Sequence, residues 1–168
     1  MEAQESAGMN EPEQRLAIGG HFNHTFMWAT LKRAGEACSP GPTGVLLAAI
    51  EKTYTNLESL IDKVLQTALT RQLPGWIWLC VNENEKILRI VTTNNEDNPM
   101  MYGILTAQYR PVLAIDLWEH AYFDQHNGDK ETYIKAFFES VNWDKVSAIY
   151  EKLHGSGFKS LVSPLELF

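Results

Sequence analysis

A chain of 168 residues, 45% hydrophobic, is long enough for one domain, or one domain with a tail, and apolar enough for a real core. Its net charge of −7 argues against direct nucleic-acid binding, which needs a basic surface, and no apolar run reaches the length of a membrane span. The two cysteines, Cys38 and Cys80, are too few for a disulfide scaffold and read as reduced structural thiols of an intracellular protein.

Residues 1–13 are polar, carry four acidic residues and no base, and read as a disordered lead rather than a secretory signal or an Arg-rich transit peptide. From about Glu13 to Gly35 the recurrence of Leu16, Phe22, Phe26 and Leu31 predicts a helix. The pair Gly19-Gly20 weakens it by about 1 kcal/mol per glycine relative to Ala, and also permits close approach by another backbone or by a metal centre. His21 and His24, three residues apart, share one face. Pro40, Gly41, Pro42 and Gly44 mark a loop. A helical stretch then runs from Thr43, a candidate cap, to Thr70. Thr53-Tyr54-Thr55-Asn56 interrupts it, and Asn56 starts a new helix.

Strands follow at Trp76 to Asn82 and Ile87 to Thr93, joined by a hairpin turn over Glu83 to Lys86. A third strand is expected near Pro111 to Leu117, a helix over Asp129 to Ser140, and a last helix over Trp143 to His154. Gly155 to Phe168 reads as a tail. Helices, then an antiparallel sheet, then helices make an α+β domain.

The segment Ile115-Asp116-Leu117-Trp118-Glu119-His120-Ala121-Tyr122-Phe123 stands out. A buried carboxylate is costly unless it is paired or metal-bound. Asp116 at the end of an apolar strand, with His120 four residues on, therefore asks for a partner. On spacing alone, two ligand-type residues do not make a site, and a structural Asp–His hydrogen bond or a solvated loop is the simpler reading.

The same segment resembles the D-x-W-E-H-A-Y signature of the iron/manganese superoxide dismutases. Gly19-Gly20-His21-Phe22-Asn23-His24-Thr25-Phe26-Met27-Trp28 is similar to that family's G-G-H-x-N-H-S/T-x-F/L-W helix. Pro74-Gly75-Trp76-Ile77-Trp78-Leu79 is similar to its G-S-G-W-x-W-L turn and strand, and Val141-Asn142-Trp143 to its late V-N-W. The resemblance covers about residues 15–153. It implies the family's C-terminal fold, helices packed on a three-stranded antiparallel sheet. The expected divisions are a lead at 1–13, a remnant of the N-terminal helical domain carrying His24 at 14–38, the C-terminal α+β domain at 39–154, and a tail at 155–168.

The resemblance also implies chemistry. His24, Asp116 and His120 match three of the four protein ligands of a single manganese or iron ion, one per chain, and the activity implied is superoxide dismutation. Imidazole and carboxylate suit both the divalent and the trivalent ion. Trp76, Trp118 and Trp28 match aromatics lining the metal pocket; as core residues they would serve equally. Glu119 matches a residue that reaches across a two-fold interface to the partner's metal-bound histidine, and otherwise reads as an exposed helix-start glutamate. Tyr122 belongs to that interface too. His21 is expected to be a hydrogen-bonded helix histidine and not a ligand, His126 a surface or interface residue, and His154 a tail residue without a signal.

Four departures from the pattern stand in the sequence. The family's N-terminal helical hairpin, with the remaining ligand histidine, has no counterpart in the short acidic lead. The active-site glutamine is replaced: Gly20 stands at the iron-type position, and Glu96, in Asn95-Glu96-Asp97, at the manganese-type position. Phe123 stands for a relay tyrosine. Leu73-Pro74-Gly75 replaces Gly-Ser-Gly, with Lys130 where an arginine is usual. The three remaining ligands resemble a two-histidine, one-carboxylate facial set with open positions.

Two functions follow from the resemblance. One is a superoxide dismutase, truncated here or completed by another chain. The other is a non-catalytic subunit, since the same fold occurs in the mitochondrial ribosome. Association as a homodimer or hetero-oligomer is expected through the Glu119 region and through the face the hairpin would cover. The compartment expected is the mitochondrial matrix or the cytoplasm.

Overall fold

Strand β1, Gly75–Asn82, is the centre of the molecule, and each of its residues is buried. The computed structural model describes residues 11–105 and 108–156. Strands β2, Leu88–Asn94, and β3, Tyr109–Asp116, flank β1 on either side, both antiparallel, in the order β2-β1-β3. The sequence Trp-Ile-Trp-Leu-Cys-Val has no polar alternation, which is what a strand covered on both faces requires. The register sets Trp76 opposite Thr93 on one side and Asp116 on the other. A shift between Leu79 and Cys80 interrupts the β1–β3 ladder.

Among the described residues six helices surround the sheet: α1 Pro12–Ala29, α2 Gly44–Tyr54, α3 Leu57–Thr70, α4 Glu119–His126, α5 Lys130–Ser140 and α6 Trp143–Gly155. The expected α+β architecture is therefore observed. No helix among the described residues is long and apolar enough to cross a membrane. The core joins Phe22 and Phe26 of α1, Leu46 and Ile50 of α2, and Leu60 and Val64 of α3 to the sheet. Ile134 and Phe137 of α5 and Trp143 and Ile149 of α6 close it from the other helices.

Side-chain caps fix three helix starts. The Asn56 carboxamide oxygen accepts from Ser59 N–H (2.8 Å), Asp129 from Glu131 N–H (2.9 Å) and Asn142 from Lys145 N–H (3.1 Å), each satisfying an amide the helix leaves open. Thr43 precedes α2, but its hydroxyl makes no cap bond; instead its backbone N–H donates to Ser147 Oγ at 3.1 Å. The break between α2 and α3 falls at Thr55, whose φ is 76°.

Both boundaries of α1 depart from expectation. Helix α1 starts at Pro12, inside the lead expected to run to residue 13, because proline is tolerated at a first helical position; residues 1–10 lie outside those described. It stops at Ala29, not Gly35, since Leu31 bridges to Val141, Lys32 N–H donates to Ser140 O (2.9 Å) and Asn142 N–H to Thr30 O (2.9 Å). Glu119 does open a helix, α4, in keeping with its alternative reading as an exposed helix-start glutamate, although the sequence marks no extent for it. This helix buries no residue, so it carries no apolar periodicity to read. Of the tail, only Gly155, which ends α6, and Ser156 are described. Cys38 and Cys80 are both free, as expected, and Cys80 is buried.

Candidate metal centre

Asp116 is the last residue of β3 and only 1% exposed. One carboxylate oxygen, Oδ1, accepts from Trp118 N–H at 2.8 Å. That bond is an Asx turn, and it swings the chain from strand into α4. Leu117 N–H, donating to Gly75 O at 2.9 Å, holds the turn against the start of β1. The Asp-x-Trp spacing thus has a local cause. Four residues on, His120 Nε2 comes to 2.9 Å from Asp116 Oδ2. His24, from α1, brings its Nε2 to 3.4 Å from the same oxygen.

His24 Nδ1 lies 2.9 Å from Gly20 O. A carbonyl only accepts, so this nitrogen donates to it and Nε2 is the ring atom turned toward Asp116. The ring stands edge-on to Trp76 (4.9 Å between centroids, 88°) and near-parallel to His120 (5.9 Å, 29°). Trp118 stacks on His120 at 6.2 Å.

One ligand atom from each of His24, Asp116 and His120 lies within 4.8 Å of the others. Ligands at about 2.0–2.2 Å from one ion stand at most about 4.4 Å apart, so the trio needs no more than a few tenths of an ångström of closure to share one. Burial pushes the Asp116 carboxyl above the usual carboxylate range, in spite of the Trp118 N–H and the two imidazoles, which act against it. A buried carboxylate so incompletely compensated is the environment a cation would relieve. Two imidazoles and one carboxylate therefore fit an iron or manganese ion.

The trio opens into a cleft of about 500 Å³ whose walls include Met27, Leu31, Tyr133 and Phe137. Trp28 lies on its edge and is 61% exposed, so it lines the cleft mouth rather than packing around the trio. Trp76, by contrast, is wholly buried. His126, expected at the surface or an interface, is half-buried in the wall of this cleft, its ring 5.6 Å from that of Tyr133. Its place depends on α4, which sequence periodicity does not reveal. His21 is exposed and outside the trio.

Glu96 follows β2 in a turn where Asn95 has φ 48°. Its Oε2 accepts from Trp76 Nε1 at 3.0 Å and from Asn23 Nδ2 at 3.2 Å. Asn23 is fully buried and immediately precedes His24. Burial raises the Glu96 carboxyl above its usual range; the Trp76 bond, His24 and the Asn23 bond pull the other way, while Asp116 adds to the rise. Glu96 does not join the trio but stands beside it through Trp76. Gly19 explains the close approach: a β-carbon there would meet Glu96 O at 1.9 Å.

Glu119 is exposed in the first turn of α4, Phe123 is 60% exposed, and Tyr122 is half-buried. Glu119 and Tyr122 line a second hollow of about 360 Å³ with His120, Trp118 and Lys130. Lys130 Nζ donates to Arg71 O (2.8 Å) and Ala68 O (3.2 Å), tying down the last carbonyls of α3. Its ammonium also stands 5.7 Å from the centre of the Tyr122 ring.

An α+β domain that gathers two imidazoles and a buried carboxylate at one strand end has the build of a mononuclear metalloprotein. Residues 42–149 match the family model described as "Iron/manganese superoxide dismutases, C-terminal domain". Superoxide dismutase (Mn) of Acinetobacter baylyi is 38% identical over 134 residues, 80% of this chain and 57% of that protein. Superoxide dismutase (Mn) of Yersinia enterocolitica is 38% identical over 135 residues, 80% of this chain and 62% of that protein. The chain belongs to the iron/manganese superoxide dismutase family, and spans about three-fifths of the length of these relatives.

Proposed function

We propose that this chain carries the redox centre of a superoxide dismutase, converting two superoxide and two protons to oxygen and hydrogen peroxide, with one manganese or iron ion per chain held by His24, Asp116 and His120. The supporting observation is the convergence of those three ligand atoms within 4.8 Å. When bound, the ion supplies the one-electron couple on which dismutation depends. The protein's share is orientation, charge and exclusion of water. Gly20 O fixes the His24 tautomer. The Trp118 N–H orients Asp116, whose single charge offsets part of the cation's. Trp76 and Trp118 wall the site with apolar rings, which strengthens the field at the ligands. Glu96, held by Trp76 and Asn23, takes the place of the family's glutamine; ionised, its charge favours the more oxidised ion.

A homodimer through Glu119, Tyr122 and Phe123 belongs to this reading, with Glu119 bonding the partner's His120 and so orienting it. Trp28, at the open cleft mouth, is the residue such an assembly or a further segment would cover. A reducing compartment, the mitochondrial matrix or the cytoplasm, suits its two free thiols.

The test is metal content and dismutase activity of the purified protein. Iron or manganese near one equivalent, lost in His24→Ala, Asp116→Ala and His120→Ala together with activity, supports the proposal. A stable, metal-free, inactive protein sinks it. That outcome favours the second reading, a non-catalytic superoxide dismutase-fold subunit of a larger assembly such as the mitochondrial ribosome, for which the acid in place of the amide at Glu96 speaks.

A further inference from the structure

Helix α1 supplies His24, yet among the described residues its first two turns place no fully buried side chain in the core, Ile18 being half-buried. The buried residues of α1 are Gly19, Phe22, Asn23, Phe26, Met27 and Ala29, none of them before position 19, and Leu16 is 44% exposed. What anchors that end is polar. Arg15 Nε donates to Asp97 Oδ1 and Arg15 Nη2 to Asp97 Oδ2, both at 2.6 Å, a two-pronged bond between residues far apart in sequence. Such a fork fixes direction as well as distance, which a single ion pair does not.

Asp97 is itself tied to the sheet. Thr93 Oγ1 donates to Asp97 O at 2.6 Å, and Trp78 Nε1 donates to Thr93 Oγ1 at 2.9 Å. The neighbouring Glu96 receives Asn23 Nδ2 at both its backbone oxygen (3.1 Å) and its carboxylate. The loop after β2 therefore grips α1 at Arg15 and again at Asn23. At a rise of about 1.5 Å per residue these grips stand roughly 12 Å apart along the helix. Two separated grips fix both the rotation and the axial position of a rod; either alone leaves a pivot. His24 is the residue after the second grip.

We infer that Arg15 and Asp97 are positioning residues for the metal centre: their fork sets where His24 stands relative to Asp116 and His120. This rests on the metal-ligand reading above. The fork contributes no ligand atom and lies outside the trio. Its effect is to keep His24 Nε2 within reach of the Asp116 oxygen, now 3.4 Å away, without a search by the helix. Loss of the fork lets the first half of α1 rock about the Asn23–Glu96 contact, so metal binding must first re-order it. Lysine at position 15 keeps the charge but cannot make the fork.

The experiment titrates the metal-free 168-residue chain with cobalt(II) by calorimetry, in wild type, Arg15→Met, Arg15→Lys, Asp97→Asn and the Arg15→Met/Asp97→Asn double variant. His24→Ala is the ligand control, and amide exchange of α1 is followed in the absence of metal. Binding that disappears in His24→Ala supports the ligand reading. Arg15→Met and Asp97→Asn are then each expected to lose about tenfold in cobalt affinity, the double variant no more than either single, and Arg15→Lys most of the same tenfold. Exchange should quicken through α1 while β1 and β3 stay protected. Wild-type cobalt affinity in Arg15→Met, even with a lowered melting temperature, overturns the inference, because a merely structural bridge moves only the latter. If His24→Ala binds as wild type does, the ligand reading has failed by itself. The fork is then judged by exchange: unchanged protection at Gly19 to His24 in Arg15→Met overturns it, and lost protection upholds it.

Discussion

Trp76→Phe is the most direct probe of how the sheet supports the candidate site. The Trp76 side chain is wholly buried, its indole N–H donates to Glu96 Oε2 at 3.0 Å, and its ring stands 5.7 Å from Trp78. Phenylalanine removes the donor and part of the ring. A hydrogen bond to an ionised acceptor contributes about 1.5–3 kcal/mol. The lost ring atoms cost about 1–2 kcal/mol, less than the ~3–5 of full truncation to Ala. Together the change should destabilise the metal-free chain by about 2.5–5 kcal/mol, a large share of the ~5–15 typical of a domain. Glu96→Gln keeps a carbonyl to accept from Trp76 and Asn23 but removes the charge. In urea unfolding of wild type, both single variants and the pair, the coupling between positions 76 and 96 should be about 1 kcal/mol. Additive changes would mean that the charge of Glu96 adds nothing to the Trp76 bond, and the account of an ionised Glu96 held by that indole would be wrong.

Two further predictions concern pH and glycine. Burial raises the Asp116 and Glu96 carboxyls in the folded chain, so above about pH 4, where unfolded carboxylates have lost their protons, the folded state holds more protons than the unfolded one. Stability of the metal-free protein should then fall as pH rises from about 4 through the raised values and level off beyond them. Asp116→Asn/Glu96→Gln should flatten that fall in pH-dependent urea melts; an unchanged slope would refute it. Gly19→Ala puts a β-carbon 1.9 Å from Glu96 O, whereas at Gly20 the nearest atom is Glu96 Cδ at 3.5 Å. The first should cost about 3 kcal/mol or more and the second should be neutral or gain up to about 1 kcal/mol from helix propensity, measured as opposite shifts of the thermal midpoint.

Much of this molecule is written in short-range pattern. The unbroken apolar run at Trp76 to Val81 specifies a strand covered on both faces, Asn56 specifies a cap, and the Asp-x-Trp spacing after β3 specifies an Asx turn; each is decided by neighbours a few residues away. The motif resemblance carried the trio as well, since His24, Asp116 and His120 stand at recognisable places in two quoted segments. Tertiary structure alone decided the rest. Helix α1 stops at Ala29 because Leu31 finds Val141 across the molecule. Helix α4 has no buried face to announce it, and with it His126 enters the cleft wall. Arg15 meets Asp97 82 positions away. Such pairings leave no local trace, because a side chain's preference for helix, strand or turn is set by its own backbone, while the partner that finally fixes it comes from wherever the packed core brings the chain back.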